Sequence, residues 1–370
     1  VKIILVVGAR PNYMKIAPIY FALKSEQEFE PILIHTGQHY DKNLSEIFFT
    51  ELGLPKPDIY LGVGSGTHGE QTSRIMIEFE KVLFKENPDL VMVAGDVNST
   101  IACALDSVKL HIPVAHLEAG LRSYDRQMPE EINRVLTDSI SDILFTPSYN
   151  ASENLKKEGV SDKKIFFVGN AMIDSLKKYE SIAEKSDVLE RFNLSKKNYA
   201  LITLHRPSNV DNKESFEKII KAFEVIEKRI KLIFPIHPRS RKQIERFSLM
   251  AHFNDMKNFQ LIDPIGYLDF LKLEKYAKFV LTDSGGIQEE TTVFGVSCLT
   301  IRKNTERPIT IRQGTNQLVG TDTQKIIKTA NSIIDGYCKK GNIPNFWDGK
   351  TANRVVEVLK NFSNLERAYQ

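Results

Sequence analysis

The sequence predicts an α/β protein made of two doubly wound domains, and three observations carry that reading. Short apolar runs alternate with helix-period patterns along the chain, as parallel strands joined by helical crossovers require. A charged helical stretch over 174–197 interrupts the alternation, which then begins again. The 370 residues are too many for one ordinary core. Several strands end in loops rich in glycine and in charged or polar side chains, where open α/β sheets place their ligands. The expected architecture is two such domains facing each other across a cleft lined by strand-end loops.

In order, the run KIILVV at 2–7 ends in Gly8-Ala9-Arg10-Pro11 and leads into a helical pattern, MKIAPIYFALKS. This is a Rossmann-like opening without the GxGxxG fingerprint, so a dinucleotide is not favoured. Arg10 and Lys15 bracket the turn, within reach of a phosphate. The segment 30–40, EPILIHTGQHY, reads as a strand and a polar loop. No carboxylate or cysteine near His35 and His39 completes a metal site, so both are assigned to loop hydrogen bonding. The glycine-rich stretch 60–69 lacks the Lys-Ser/Thr ending of a P-loop and reads as a flexible loop before a helix. PDLVMVAGD places Asp96 at a strand end, and IPVAHLEAG does the same for Glu118. Acids at two successive strand ends exceed what loop solubility requires. Pro129-Glu130-Glu131 opens a helix, where dipole chemistry alone accounts for acids. SDILFTPS and KIFFVGNAMIDS close the first half around residue 170.

In the second half the candidate strands are NYALITLH, KLIFPIHP, FQLIDPI, KFVLTDS and SCLTIRK. His205 and Arg206 fall at one strand end and His237 at another. The stretch Leu281–Glu290, LTDSGGIQEE, reads as strand, tight turn and helix. Ser284 suits the N-cap, and Gly285 and Gly286 leave bare backbone N–H groups at the positive end of the helix dipole, as a phosphate requires. Glu290 lies one turn further along the same face. A carboxylate there would repel a diphosphate but accept hydrogen bonds from ribose hydroxyls. Residues 350–362 form an amphipathic helix.

Hydrophobic residues make up 42% of the chain and charged residues 26%, a globular composition. The net charge of +3, with both signs scattered, offers no footprint for nucleic acid or an acidic membrane. Cys103, Cys298 and Cys338 lack metal-ligand spacing and suggest a reducing compartment. With no run of membrane-spanning length and a strand rather than a signal peptide at the start, the expected setting is the cytoplasm.

The segments GARPNYMKIAPI, TGQH, AGDVNSTIA, IPVAHLEAGLRS, PEEINR, VGNAMID, LHRPSNV, FPIHP, LTDSGGIQEE, ERP and GTNQLVG occur here in one order. Together they resemble the non-hydrolysing UDP-N-acetylglucosamine 2-epimerases across nearly the whole length. The resemblance implies a GT-B-type fold, a homodimer, and neither metal nor nicotinamide. It implies a first domain over 1–170, completed by the C-terminal helix over 355–370, and a UDP-binding domain over 171–354. It places catalytic carboxylates at Asp96, Glu118 and Glu130 and a catalytic histidine at His205. Nucleotide contacts fall on Arg10, Lys15, Phe270, Ser284, Gly285, Gly286, Glu290 and Arg307.

The sequence also departs from the family. After His205-Arg206 it continues Pro207-Ser208-Asn209 where Arg-Glu-Asn is common. Many bacterial members bind a second UDP-sugar as an activator; Gln38, Arg206 and His237 match that site, whereas Asp41 and Glu70 replace a Gln and an Arg. GARPNYMK favours the non-hydrolysing branch. The implied activity is C2 epimerisation of UDP-N-acetylglucosamine through a 2-acetamidoglucal, supplying a precursor of cell-surface polysaccharide. The rival readings are an epimerase of a diacetamido-uronic acid nucleotide, a UDP-sugar-dependent glycosyltransferase and a non-catalytic nucleotide-sugar sensor.

Overall fold

The structure is a computed structural model and describes residues 1–38 and 53–369. His39 and Asp41 lie outside the described residues, as does the side chain of Arg10. The chain divides into two compact units, residues 1–178 with 345–370, and residues 179–344.

The first unit is built on a parallel sheet of β1 (Lys2–Val7), β2 (Glu30–His35), β3 (Ile59–Tyr60), β4 (Leu90–Ala94), β5 (Val114–Leu117), β6 (Ile143–Thr146) and β7 (Ile165–Phe167). Its spatial order is β3-β2-β1-β4-β5-β6-β7. The central strands are buried without alternation because helices cover both faces: all five residues of β4 and all four of β5 are buried, and only His116 among them is polar. Ile4, Val6, Phe79, Val91, Val93 and Cys103 belong to one core cluster beside this sheet. Winding reverses between β1 and β4, whose register runs Ile3↔Leu90 to Leu5↔Met92. A doubly wound sheet opens its crevice at the carboxyl ends of such a pair. Here those ends carry Gly8 and Gly95-Asp96.

Helix Arg10–Lys24 starts with Pro11 in its first turn, where a missing N–H costs nothing. Asn12 ties that turn down: its Oδ1 accepts from the Ala9 N–H at 3.1 Å, and its Nδ2 donates to the Ala94 carbonyl at 2.7 Å. The C-terminal helix, Thr351–Tyr369, packs against helix Arg10–Lys24. Asp174 caps it, accepting from the N–H groups of Thr351 at 3.1 Å and Ala352 at 2.8 Å. Trp347, buried just ahead of it, donates to the Pro147 carbonyl at 2.9 Å.

The second unit repeats the plan with β8 (Tyr199–Thr203), β9 (Lys231–Pro235), β10 (Phe259–Ile262), β11 (Phe279–Thr282), β12 (Ser297–Thr300) and β13 (Asn316–Leu318). The order β10-β9-β8-β11-β12-β13 reverses between β8 and β11, and again all pairs are parallel. Thr203 and Thr282 face each other at the ends of that pair, their hydroxyls 2.6 Å apart. The next residues out are Leu204-His205 on one side and Asp283-Ser284 on the other.

Candidate active site

In the first unit Glu118 follows β5 directly, with φ +78°, in the left-handed region that side-chain-bearing residues avoid. Its N–H donates to the Phe145 carbonyl at 3.1 Å, which fixes the turn. The conformation projects a carboxylate onto the ammonium of Lys15, and both side chains are at most a tenth exposed. Gly95 makes room for this pair: with φ +70°, a Cβ there would lie 3.1 Å from Lys15 Nζ and 3.5 Å from Glu118 Oε2. Next along, Asp96 is paired with Arg134, which also holds the buried Glu131. Asn133 donates to the Asp96 carbonyl at 2.9 Å.

Glu130 and Glu131 share a helix turn but have different surroundings. Glu131 is buried and accepts from the Ser123 N–H at 2.9 Å, the Ser123 hydroxyl at 2.8 Å and the Tyr124 N–H at 2.8 Å. It holds the loop after Glu118. Glu130 is half-buried on the first turn of helix Pro129–Ile140, the helix that also presents Asn133 and Arg134 to Asp96.

Behind these acids lies a buried chain of polar and charged side chains. His116 Nδ1 is 2.6 Å from Asp138, and its Nε2 is 2.8 Å from the Gly95 carbonyl. Asp138 also accepts from the Gly120 N–H at 3.0 Å and from Arg122 at 2.6 Å. Although burial pushes the other way, His116 and Arg122 hold the Asp138 carboxyl below the usual aspartate range. Arg122 ends the chain on Glu158, at 2.6 Å and 2.8 Å. The strand-end turns that carry Asp96 and Glu118 are thus fixed from beneath.

In the second unit Asp283, fully buried after β11, accepts from the N–H groups of His205 at 3.1 Å and Arg206 at 2.9 Å, and from Asn209 at 3.0 Å. His205 Nδ1 lies 3.0 Å from the same carboxylate. Burial opposes the Asp283 charge, but these partners, His205 foremost, keep its carboxyl below the ordinary range. His205 therefore sits at a strand end with one ring nitrogen fixed and the side chain 41% exposed. His237 lies beside it, ring centroids 5.4 Å apart. Partial burial and His205 push the His237 imidazole down from its usual value.

Helix Gly285–Phe294 opens from Ser284 at the same crevice. The Ser284 N–H donates to the Thr282 hydroxyl at 3.0 Å. A Cβ on Gly285 would lie 2.5 Å from Arg307 Nη1 and 2.9 Å from its Cζ, so the glycine is where the guanidinium approaches the helix start. Arg307 is held by Glu306 at 2.5 Å and Glu289 at 2.8 Å, and Glu306 also binds Arg302 at 2.8 Å. Arg206 reaches the same carboxylate at 3.8 Å. Cations and a helix N-terminus thus converge, the arrangement that receives an anion. One turn on, buried Glu290 accepts from the Tyr267 hydroxyl at 3.0 Å. Phe270 packs at the edge of the core cluster that includes Ile287 and Leu273.

Gln38, which matches the activator site, and Glu70, which departs from it, both have local structural partners. Gln38 Oε1 accepts from the Ser99 N–H at 3.0 Å and its hydroxyl at 2.7 Å. Glu70 closes a capping box with Thr67 at the start of helix His68–Glu86, and Gln71 is buried against Asn98 at 2.9 Å. Sequence reasoning passed over Asp283, His116, Asp138, Arg122 and Arg134. Asp283 carried a usable signal, an acid at a strand end like Asp96 and Glu118. The others are joined only in space.

Two doubly wound sheets, strand-end acids held on cations and a glycine-opened helix beside an arginine cluster define an α/β enzyme of the nucleotide-sugar class. A family model described as UDP-N-acetylglucosamine 2-epimerase matches residues 21–360. The chain belongs to the UDP-N-acetylglucosamine 2-epimerase family. It is 48% identical over 364 residues to the enzyme of that name from Methanocaldococcus jannaschii, covering 97% of this chain and 98% of that one. It is 42% identical over 361 residues to the UDP-2,3-diacetamido-2,3-dideoxy-D-glucuronate 2-epimerase of Pseudomonas aeruginosa, covering 97% and 99%. The crystal structure of the M. jannaschii enzyme in complex with UDP-GlcNAc and UDP superposes with a TM-score of 0.90 over 98% of this chain and 100% of that one. The Neisseria meningitidis enzyme bound to UDP-GlcNAc gives 0.88 at 30% identity, covering 98% and 100%.

Proposed function

We propose that this protein interconverts UDP-N-acetylglucosamine and UDP-N-acetylmannosamine without hydrolysis. The observation that carries the reading is Glu118, a carboxylate held in a costly backbone conformation, on a lysine, at a strand end. The second unit holds UDP. The diphosphate takes the N-terminus of helix Gly285–Phe294 beside Arg307, and the ribose takes Glu290.

The C2 proton of the sugar is not next to a carbonyl, so a carboxylate alone cannot remove it. As the C1–O bond to UDP lengthens, the developing oxocarbenium ion acidifies C2–H. A carboxylate takes that proton, UDP leaves with the bonding pair, and a C1=C2 double bond forms, giving 2-acetamidoglucal. Return of the UDP oxygen to C1, with protonation on the opposite face of C2, gives the epimer. Inversion needs acid and base groups on two faces, the task we assign to Asp96, Glu118 and Glu130. His205, fixed by Asp283, and the arginine cluster stabilise the charge that grows on the departing diphosphate.

The test is proton NMR of the protein with UDP-N-acetylglucosamine in D2O. UDP-N-acetylmannosamine signals with deuterium at C2 are expected; free N-acetylmannosamine plus UDP would mean hydrolysis and overturn the reading. The P. aeruginosa relative favours a second substrate, the diacetamido-glucuronate nucleotide. The same assay with that sugar, run in parallel, decides between them. A homodimer and a cytoplasmic setting belong to the same proposal. Its support is the family resemblance, three cysteines free of disulfides, and exposed apolar Ile77 and Phe84 on helix His68–Glu86.

A further inference from the structure

We propose that Glu274 is a positioning residue for the nucleotide's ribose: its carboxyl group, kept in the acid form, donates to Glu290 from behind and sets that carboxylate to receive the two ribose hydroxyls. This rests on the reading of Glu290 as the ribose acceptor.

Glu274 lies on helix Tyr267–Tyr276, which packs against helix Gly285–Phe294, and it is completely buried. Its carboxyl is in hydrogen-bonding range of Glu290, and no other donor among the described residues reaches either oxygen. Two adjacent buried carboxyls cannot both ionise. Glu290 has a donor of its own, the Tyr267 hydroxyl at 3.0 Å. The proton therefore stays on Glu274, whose carboxyl is pushed well above the usual range by burial and then by Glu290.

The other groups around it leave this unchanged. Lys272 and Lys275 share its helix, but Lys272 donates to the Glu184 and Ser186 carbonyls, and Lys275 pairs with Glu180 and Glu184. On the next helix Glu289 is committed to Arg307. From β12 the Cys298 thiol faces it, itself pushed up to about 11 by burial and so uncharged at neutral pH. From β8 the Tyr199 hydroxyl donates to the Leu273 carbonyl at 2.5 Å.

With Tyr267 and Glu274 both donating, Glu290 has its rotamer fixed where the ribose hydroxyls arrive. The arrangement makes ribose recognition pH-dependent. Ionising Glu274 at alkaline pH removes the donor and sets a second negative charge against Glu290.

The experiment is calorimetric titration of the full chain with UDP and with 2′,3′-dideoxy-UDP. Wild type should prefer UDP, and Glu290→Ala should lose the preference. If wild type shows none, the ribose reading of Glu290 fails and takes this proposal with it. Glu274→Met, which cannot donate, should lose roughly ten-fold of the preference, the worth of a hydrogen bond to a charged group. Glu274→Gln, whose amide donates but cannot ionise, should restore it and keep it flat into the alkaline range where wild type declines. Full preference in Glu274→Met would overturn the proposal, as would parallel pH curves for wild type and Glu274→Gln. A general packing role would weaken both nucleotides equally and leave their ratio intact, which also counts against it.

Discussion

Glu118 combines two costs that a merely structural residue has no reason to carry. A side chain at φ +78° costs on the order of 1–2 kcal/mol relative to the right-handed region. Lys15 and Glu118 are both nearly buried, so each charge is tolerable only while the other is present. Changing Glu118 to Gln keeps the shape and a hydrogen-bond acceptor for Lys15, but removes the carboxylate to which we assign proton exchange at C2. The expected result is a fall in kcat of roughly 10²–10⁴-fold, with the folded structure retained by circular dichroism. A loss smaller than ten-fold would remove Glu118 from the proton-transfer step. Asp283 illustrates a different use of a strand-end acid. Three N–H donors and His205 consume its acceptor capacity, so it orients a histidine.

At the scale of the element, the helix Gly285–Phe294 works because its first residue has no side chain. Arg307 occupies the space a Cβ would take, and Glu306 and Glu289 prevent the guanidinium from moving aside. Gly285→Ala should therefore weaken UDP binding by about ten-fold or more, the cost of overpacking a rigid contact. Gly69→Ala is the control: nothing lies within 4 Å of its added Cβ on helix His68–Glu86, so UDP affinity should not change. Calorimetry on both variants checks the pair, and equal affinities would remove Arg307 from the binding surface.

The helix Gly285–Phe294 was legible in sequence because apolar β11, Ser284 and the two glycines are contiguous. The long central strands were legible because burial on both faces leaves unbroken apolar runs. Strands β3 and β13 were not, being two and three residues long at sheet edges with mixed burial. The capping box Thr67–Glu70 was hidden in a stretch that reads as a glycine-rich loop. The His116–Asp138 contact joins residues 22 apart on different elements and leaves no local pattern.

On the scale of the whole molecule, each unit brings candidate site residues to the strand ends at its winding reversal, Asp96 after β4 in the first and His205 and Asp283 after β8 and β11 in the second, so stability and candidate site share strand ends. His35, the last residue of β2, shows the consequence for pH. It is buried between Tyr13 and Tyr60, ring centroids 5.4 Å from each, and its Nδ1 accepts from the Gly37 N–H at 2.8 Å. Burial lowers its pKa from 6.5 to about 4. The folded chain thus keeps His35 neutral where the unfolded chain has already bound a proton. Stability from this group is complete above pH 6.5 and is lost as pH falls toward 4, by up to about 3 kcal/mol. Asp283, with its depressed carboxyl, loses its own contribution only below the ordinary aspartate range. Glu274 and Asp106 act in the opposite sense, since raised carboxyls add stability as pH falls. The measurement is therefore a difference. Denaturant unfolding of wild type and His35→Phe, followed through the transition that carries the first unit, cancels every other group. The stability gap should change between pH 6.5 and 4 in favour of the variant and stay constant above that window. A gap independent of pH would mean that His35 is protonated in the fold, and that the Gly37 N–H does not donate to it.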